Sequence, residues 1–380
     1  MNNLSVGIVA DDLTSAADGA APFRNAGLPV RIELDVAETT DRPGVVSIDT
    51  DSRRMVAAAA AVRTAVAVRS VRSAPILYKT VDSTLRGNLN SEVTAALSAS
   101  GRRTAVIAPA FPSEGRTTVG AVQLLWGVPV DKTSFANDVS HPARESDLRV
   151  IFPTAVVWEP GAQPIPDGIV LVNASTDADL DTLVSQVGLM DDVLWVGSPG
   201  IAAGLARAVT APSTPHSVSL AASRVLTVVG SQNPTSRSQL DRLLEPAQIV
   251  DARVGTDHAI DAIQRQLAAD GIAGLVDRSP DITPEEASRR LASIVNGVHA
   301  GEGFDALIAT GGATARAILD SLRTRTLELV DEPEPGIVAL VTSDGSPFPL
   351  IVKAGGFGDN NALARLATLL RPTSHPQELS

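Results

Sequence analysis

The chain contains no cysteine, which excludes disulfides, thiolate metal sites and a cysteine nucleophile. Histidine is scarce, and His141, His216, His258, His299 and His375 stand at no paired metal-ligand spacing, so a histidine-based zinc site is not expected. Lys and Arg form no cluster and the formal net charge is −12. That balance argues against nucleic acid as a partner, while leaving room for a small anion held by a few local cations. No apolar run reaches membrane-spanning length. The first residues run directly into Leu4-Ser5-Val6-Gly7-Ile8-Val9-Ala10 without a basic segment, unlike a signal peptide. A cytoplasmic protein with no membrane partner is the expectation. Sequence repeats and low-complexity tracts are also lacking.

What is present is a chain of 380 residues, 44% apolar and 19% charged, as in ordinary globular proteins of about two or three domains. Apolar runs of strand length alternate with helical segments, at 6–10, 30–34, 45–48, 75–78, 105–108, 169–172 and 193–196. A stretch rich in Pro, Ser and Thr, 210–217, reads as a linker, after which the pattern restarts at 224–229, 248–250, 272–276, 305–309 and 350–353. The alternation predicts an α/β protein of two doubly wound, mostly parallel-sheet domains with a cleft between them. The domains are expected at 1–210 and 223–372, joined by a linker at 211–222 and followed by a polar tail at 373–380.

In open α/β sheets, ligands bind at the carboxyl ends of the strands, and there the polar residues gather. The turn from Lys79 to Asn88 holds Lys79, Asp82, Ser83, Thr84, Leu85, Arg86 and Gly87 between a strand and a helix. The mix suits an anionic, hydroxylated ligand, although an ordinary polar βα loop could carry the same residues. Asp11 and Asp12 follow the first strand. Adjacent carboxylates repel and are expected to gain nothing as a helix cap, a role left to Thr14 or Ser15; they would face a cation, a metal-bound phosphate or substrate hydroxyls. The alternative is a solvated acidic turn. Arg53 and Arg54 are expected in the first turn of an Ala/Val-rich helix, where the macrodipole disfavours cations; they read as a ligand contact or as a surface pair. A Pro/Gly loop at 109–118 carries Glu114 and Arg116.

The later strands end instead in Gly230-Ser231, Thr310-Gly311-Gly312-Ala313-Thr314 and Gly355-Gly356-Phe357-Gly358. Glycine lets a backbone approach a phosphate, and the helix beyond presents free N–H groups. This half has neither a Walker A motif nor a dinucleotide fingerprint, and tight packing turns would look alike. Three such turns on consecutive α/β units nonetheless point to a phosphate-bearing nucleotide. A half suited to a hydroxy acid beside a half suited to phosphates fits phosphoryl transfer, which rests on positioning and charge neutralisation.

Taken together, Val9-Ala10-Asp11-Asp12-Leu13-Thr14, the turn from Lys79 to Asn88, Ala108-Pro109-Ala110-Phe111-Pro112 with Gly115-Arg116, Gly311-Gly312-Ala313-Thr314-Ala315 and Lys353-Ala354-Gly355-Gly356-Phe357-Gly358 resemble the four-carbon acid sugar kinase family. Its members are ATP-dependent kinases of threonate, erythronate and 3-oxo-tetronate. The resemblance spans nearly the whole chain in order. It implies a sugar-acid domain followed by an ATP domain. By the resemblance, Asp11, an arginine at 53 or 54 and the turn 82–86 contact substrate. Ser231, Gly311, Gly312, Ala313, Thr314, Gly355, Gly356 and Gly358 contact ATP. Two positions depart from the family pattern: Ser15 stands where glycine is usual, and Gly356 where a polar residue is usual.

Among Asp11, Asp12 and Asp82, the last is favoured as catalytic base, kept ionised between Lys79 and Arg86, with Asp12 directed to Mg²⁺ through water. Arg86 is expected to form a bidentate pair with the acid's carboxylate, with Lys79 and Arg116 as further substrate contacts. A metal-ligand set is not defined by the sequence; a homodimer is the expected assembly. Two other readings compete. A haloacid-dehalogenase-like phosphatase needs Asp-x-Asp, and Asp11-Asp12 are adjacent, on opposite strand faces. A non-catalytic acid- or nucleotide-binding regulator would lack turnover.

Overall fold

A computed structural model describes residues 4–36, 43–137, 142–161, 164–189, 191–209, 220–231, 233–301 and 303–371. The chain divides into two compact units, Met1–Pro215 and His216–Ser380. The division falls within the segment expected as linker. Most of that segment, 211–219, and the tail 373–380 lie outside the described residues, as do His141, His216 and His375.

In the first unit the apolar runs become strands buried on both faces, as parallel strands under helices must be. Their order is Val30–Glu33, Gly44–Asp49, Leu4–Ala10, Ile76–Thr80, Val193–Gly197, Thr104–Ala108, Gly168–Leu171 and Val156–Val157, all paired parallel. One face, with Val9, Leu77, Ile107 and Val196, packs under Val68, Val71, Val93 and Ala96 from the helices Ala57–Val71 and Leu89–Ser100. Side chains alternate along a strand, so Ile8, Tyr78, Val106 and Trp195 occupy the other face, also buried. Tyr78, the chain's one tyrosine, donates its hydroxyl to the carbonyls of Gly197 and Ser198, both at 2.9 Å, tying two central strand ends together.

The Pro/Gly loop expected at 109–118 runs to Gly115 through a 3₁₀ turn at Pro112–Glu114, and a small antiparallel sheet of Arg116–Val119, Val122–Leu125 and Val128–Pro129 follows it. Its two-residue turns are Gly120-Ala121, with φ of 59° and 62°, and Trp126-Gly127, with φ of 50° and 80°. Positive φ at both central residues is the type I′ geometry that matches strand twist. Ala121 and Trp126 adopt it without the Asn or Asp that would have announced a hairpin.

In the second unit the order is Ile249–Asp251, Ile272–Val276, Val225–Val229, Ala306–Thr310 and Pro349–Lys353, all parallel. Ile337–Thr342 and Thr326–Glu334 then continue antiparallel. Neither of these last two was anticipated, although buried Leu327 and Leu329 alternate with exposed Glu328, the period of a half-buried strand. Val225, Val229, Ile308 and Ile351 pack with Leu363, Leu366 and Leu370 of the helix Ala362–Leu370.

Candidate active site

The first unit gathers its polar residues where three parallel strands end. Ala10 pairs with Asp49, and the chain beyond Asp49 folds across the end of the first strand. The Thr50 amide donates to the Ala10 carbonyl at 2.9 Å, and the Ser52 and Arg53 amides to the Asp11 carbonyl at 2.9 and 3.1 Å. This crossing lays Arg53 over the acidic pair. Its Nε and Nη2 grip the Asp11 carboxylate at 2.7 and 2.8 Å. Nη1 pairs with Asp12 and lies 3.6 Å from Asp82 Oδ2, while Nη2 also donates to Ser15 Oγ at 2.8 Å. The Ser15 hydroxyl is thus built into the cluster.

Asp82 is the other pole. Its Oδ1 accepts from the Thr84 amide at 2.7 Å and the Thr84 hydroxyl at 2.5 Å. Its Oδ2 accepts from Arg86 Nε and Nη2 at 3.0 and 2.5 Å. The Phe135 ring lies 5.2 Å from the Arg86 guanidinium carbon, a cation–π contact that holds the fork in place. Burial alone would push the Asp82 carboxyl up; Arg86, then Arg53, and the hydrogen bonds from Arg86 and Thr84 outweigh it and hold it far below the usual range. Burial likewise raises Asp11, and Arg53 more than reverses the effect.

Several expectations are corrected here. Asp12, not Thr14 or Ser15, caps the helix Leu13–Asp18, accepting from the Ser15 amide at 2.7 Å. The acidic pair avoids mutual repulsion because one guanidinium neutralises both members. Asp12 therefore has one oxygen on the helix and one on Arg53. Neither Arg53 nor Arg54 sits in a first helical turn, since the helix begins at Ala57; Arg53 turns inward and Arg54 is exposed. Lys79 does not flank Asp82. It is 1% exposed, paired with Glu92 at 2.9 Å and donating to the Thr80 carbonyl at 2.7 Å, and Arg53 stands in its place. Arg86 gives its Nε and Nη2 to Asp82. Arg116 is nearly buried and donates to the Glu114 carbonyl at 2.6 Å. Burial lowers its pKa against the pull of Glu114 and Asp82.

Ser83 is half-buried and Leu85 is buried with φ of 61°, a left-handed conformation that costs a non-glycine residue about 1–2 kcal/mol. Support comes from a residue the sequence reading passed over. Gln123, fully buried in the small antiparallel sheet, donates to the carbonyls of Ser83 at 2.8 Å and Pro109 at 3.0 Å. Its own oxygen accepts from Thr118 Oγ1 at 2.6 Å. The only sequence signal was an uncharged amide amid apolar neighbours.

The second unit brings its three glycine turns together. A Cβ built on Gly230 would lie 1.9 Å from Thr314 Oγ1, and one on Gly355 would lie 2.2 Å from Ser231 Oγ. Gly311, with φ of 93°, precedes the helix Gly312–Ser321, which has no side-chain cap. The amides of Gly312, Ala313 and Thr314 are thus among the N–H groups a helix leaves without internal partners. The Thr314 hydroxyl itself turns inward to Ser288 Oγ at 3.0 Å, so only its backbone is presented.

Lys353, which sequence reading had placed only at a strand end, organises the last turn. Fully buried, its Nζ donates to the carbonyls of Ala354 and Phe357 at 3.0 and 2.9 Å. Buried Gln239 Nε2 reaches the carbonyls of Phe357, Gly358 and Asp359 at 3.2, 3.2 and 2.7 Å, and Ser236 Oγ the Gly355 carbonyl at 2.6 Å. Three buried side chains thus hold the carbonyls of the glycine turn, and the Phe357 amide closes it on the Ala354 carbonyl at 3.1 Å. Burial pushes the Lys353 amine down to about 8, against a weaker opposing pull from Glu334.

Comparison with known proteins agrees with this division. Residues 6–156 match a sugar-binding N-terminal domain model and residues 226–363 a nucleotide-binding C-terminal domain model. A D-threonate kinase of Bordetella bronchiseptica is 32% identical over 96% of this chain and 97% of its own length. A D-erythronate kinase of Heliobacterium modesticaldum is 28% identical over 98% and 100%. A Bordetella bronchiseptica crystal structure, a domain-swapped dimer with bound citrate, is 32% identical, covers 96% of this chain and 99% of that one, and gives a TM-score of 0.50. With a carboxylate–guanidinium cluster at the strand ends of one unit and converging glycine turns in the other, the chain belongs to the four-carbon acid sugar kinase family.

Proposed function

We propose that the protein transfers the γ-phosphoryl group of ATP to a hydroxyl of a four-carbon sugar acid, with D-threonate the first substrate to test. The observation that carries this reading is the pair Asp11 and Asp82, ionised and held rigid by Arg53 and Arg86 at the carboxyl ends of adjacent strands. An ionised carboxylate accepts at about four lone-pair sites: Asp11 keeps two beyond its bonds from Arg53, and a substrate hydroxyl reaches Asp82 by taking the place of the Thr84 hydroxyl on Oδ1. Asp82 takes the hydroxyl proton as the oxygen–phosphorus bond forms and the bond to the ADP oxygen breaks. Its depressed pKa makes it a weak base, which suffices where the transition state is loose and little nucleophile activation is required. The uncapped helix at Gly312 and the turn at 355–358 receive the phosphates.

Mg²⁺ enters as the counter-ion of the ATP phosphates. Among the described residues no group of three Asp, Glu or His could hold a metal, and no step is assigned to a protein-held ion. No helix among the described residues is long and apolar enough to cross a membrane; we place the enzyme in the cytoplasm because its co-substrate is ATP. The domain-swapped relative supports a homodimer, which sedimentation would test by mass.

The decisive experiment is ADP release and phosphorylated-acid formation across D- and L-threonate, erythronate and their 3-oxo forms. Turnover with one or more confirms the class. Binding without turnover by any of them would instead favour a regulator.

A further inference from the structure

We infer that Arg144 holds the carboxylate of the sugar acid; the inference rests on the function proposed above. The cluster sets three carboxylates, Asp11, Asp12 and Asp82, against two guanidiniums, Arg53 and Arg86, leaving one net negative charge. An anionic substrate is repelled by that arrangement unless a cation outside it takes the carboxylate. Lys79 is neutralised by Glu92 beneath the surface, and Arg116 is nearly buried against Glu114.

Arg144 meets the requirement. It lines an open cleft of about 580 Å³ together with Arg53, Leu85, Gly87 and Asn88. It is exposed and, among the described residues, forms no ion pair or hydrogen bond. The adjacent Glu145, also in the cleft wall, does not neutralise it, because its Oε1 turns back to accept from the Ser146 and Asp147 amides at 2.9 and 2.8 Å. The cleft reaches the cluster directly. A Cβ on Gly87 would come within 3.0 Å of Asp11 Oδ2, so glycine there keeps the path from Arg144 to the carboxylates open. A short hydroxy acid can therefore lay its carboxylate on Arg144 and its hydroxyls toward Asp11 and Asp82. Arg144 then discriminates acids from neutral polyols.

The test uses the full chain with Arg144→Gln and Arg144→Lys, measuring KM for the acid and the inhibition constant of the matching tetritol, which has CH₂OH in place of the carboxylate. We expect the acid KM of Arg144→Gln to rise about tenfold or more, the size of one lost charge-assisted pair. Arg144→Lys should recover part of it, with kcat and tetritol inhibition unchanged. An unchanged acid KM in Arg144→Gln, or an equal loss for acid and tetritol, would overturn the assignment. Those outcomes leave the kinase reading standing, whereas wild-type enzyme inactive on every four-carbon acid would remove that reading itself.

Discussion

At the scale of single residues, the site is a set of charges held in place by one another. Asp82 has two arginines and a threonine around it, so it stays ionised throughout the range in which the enzyme would work. Asp82→Asn is expected to lower kcat by about 10²-fold, as for a lost general base, while the acid still binds. Asp12→Asn keeps a good N-cap and should stay near wild-type. Reversed effects in steady-state kinetics would move the base to the first strand. A base this acidic also leaves no acidic limb in kcat between about pH 5 and 8, and a limb lost in Asp82→Asn would contradict the assignment.

Lys353 offers a second measurement at this scale. Folded, its amine releases a proton at about 8, against an ordinary value of 10.5. Between those values the unfolded chain binds the more protons, so this residue makes stability climb as pH rises. Urea unfolding should show wild-type stability gaining on Lys353→Met from pH 8 toward pH 10. A constant difference would mean the amine is not so perturbed.

At the scale of elements, the glycine turns work by proximity. Gly230 leaves only enough room for Thr314 beside it. Gly230→Ala is therefore expected to cost about 1–3 kcal/mol through overpacking, read by urea denaturation. Gly312→Val sits at the open helix end and should weaken ATP binding in calorimetry with little change in the acid. Normal ATP affinity in Gly312→Val would leave this turn a packing feature.

The elements themselves differ in how well the chain announces them. Runs such as Ile76-Leu77-Tyr78 and Val193-Leu194-Trp195-Val196 carry their burial in composition. The hairpin turns at Ala121 and Trp126 do not, because their positive φ is imposed by strand pairing on residues with no preference for it.

For the whole molecule, each of the two units has its own core, so each ligand should stabilise the unit that binds it. At a hundred times its dissociation constant a ligand adds about 2.7 kcal/mol. In scanning calorimetry an ATP analogue should shift one transition and the sugar acid the other. Equal shifts of both by either ligand would contradict separate sites.

The sequence alone determined the strand-end positions, the two-part division of chemistry and the family, because burial periodicity and turn composition are local properties. Which cation meets which carboxylate was decided only by the tertiary structure. Arg53 and Asp11 stand 42 residues apart, Ser52 and Glu92 40 apart, and Gln239 and Gly358 119 apart. Those pairings follow from strand register and from which face of each turn is turned inward. That is why Lys79, within the strand Ile76–Thr80, serves Glu92, and why Asp82 meets Arg53 from another strand's loop as well as Arg86 from its own.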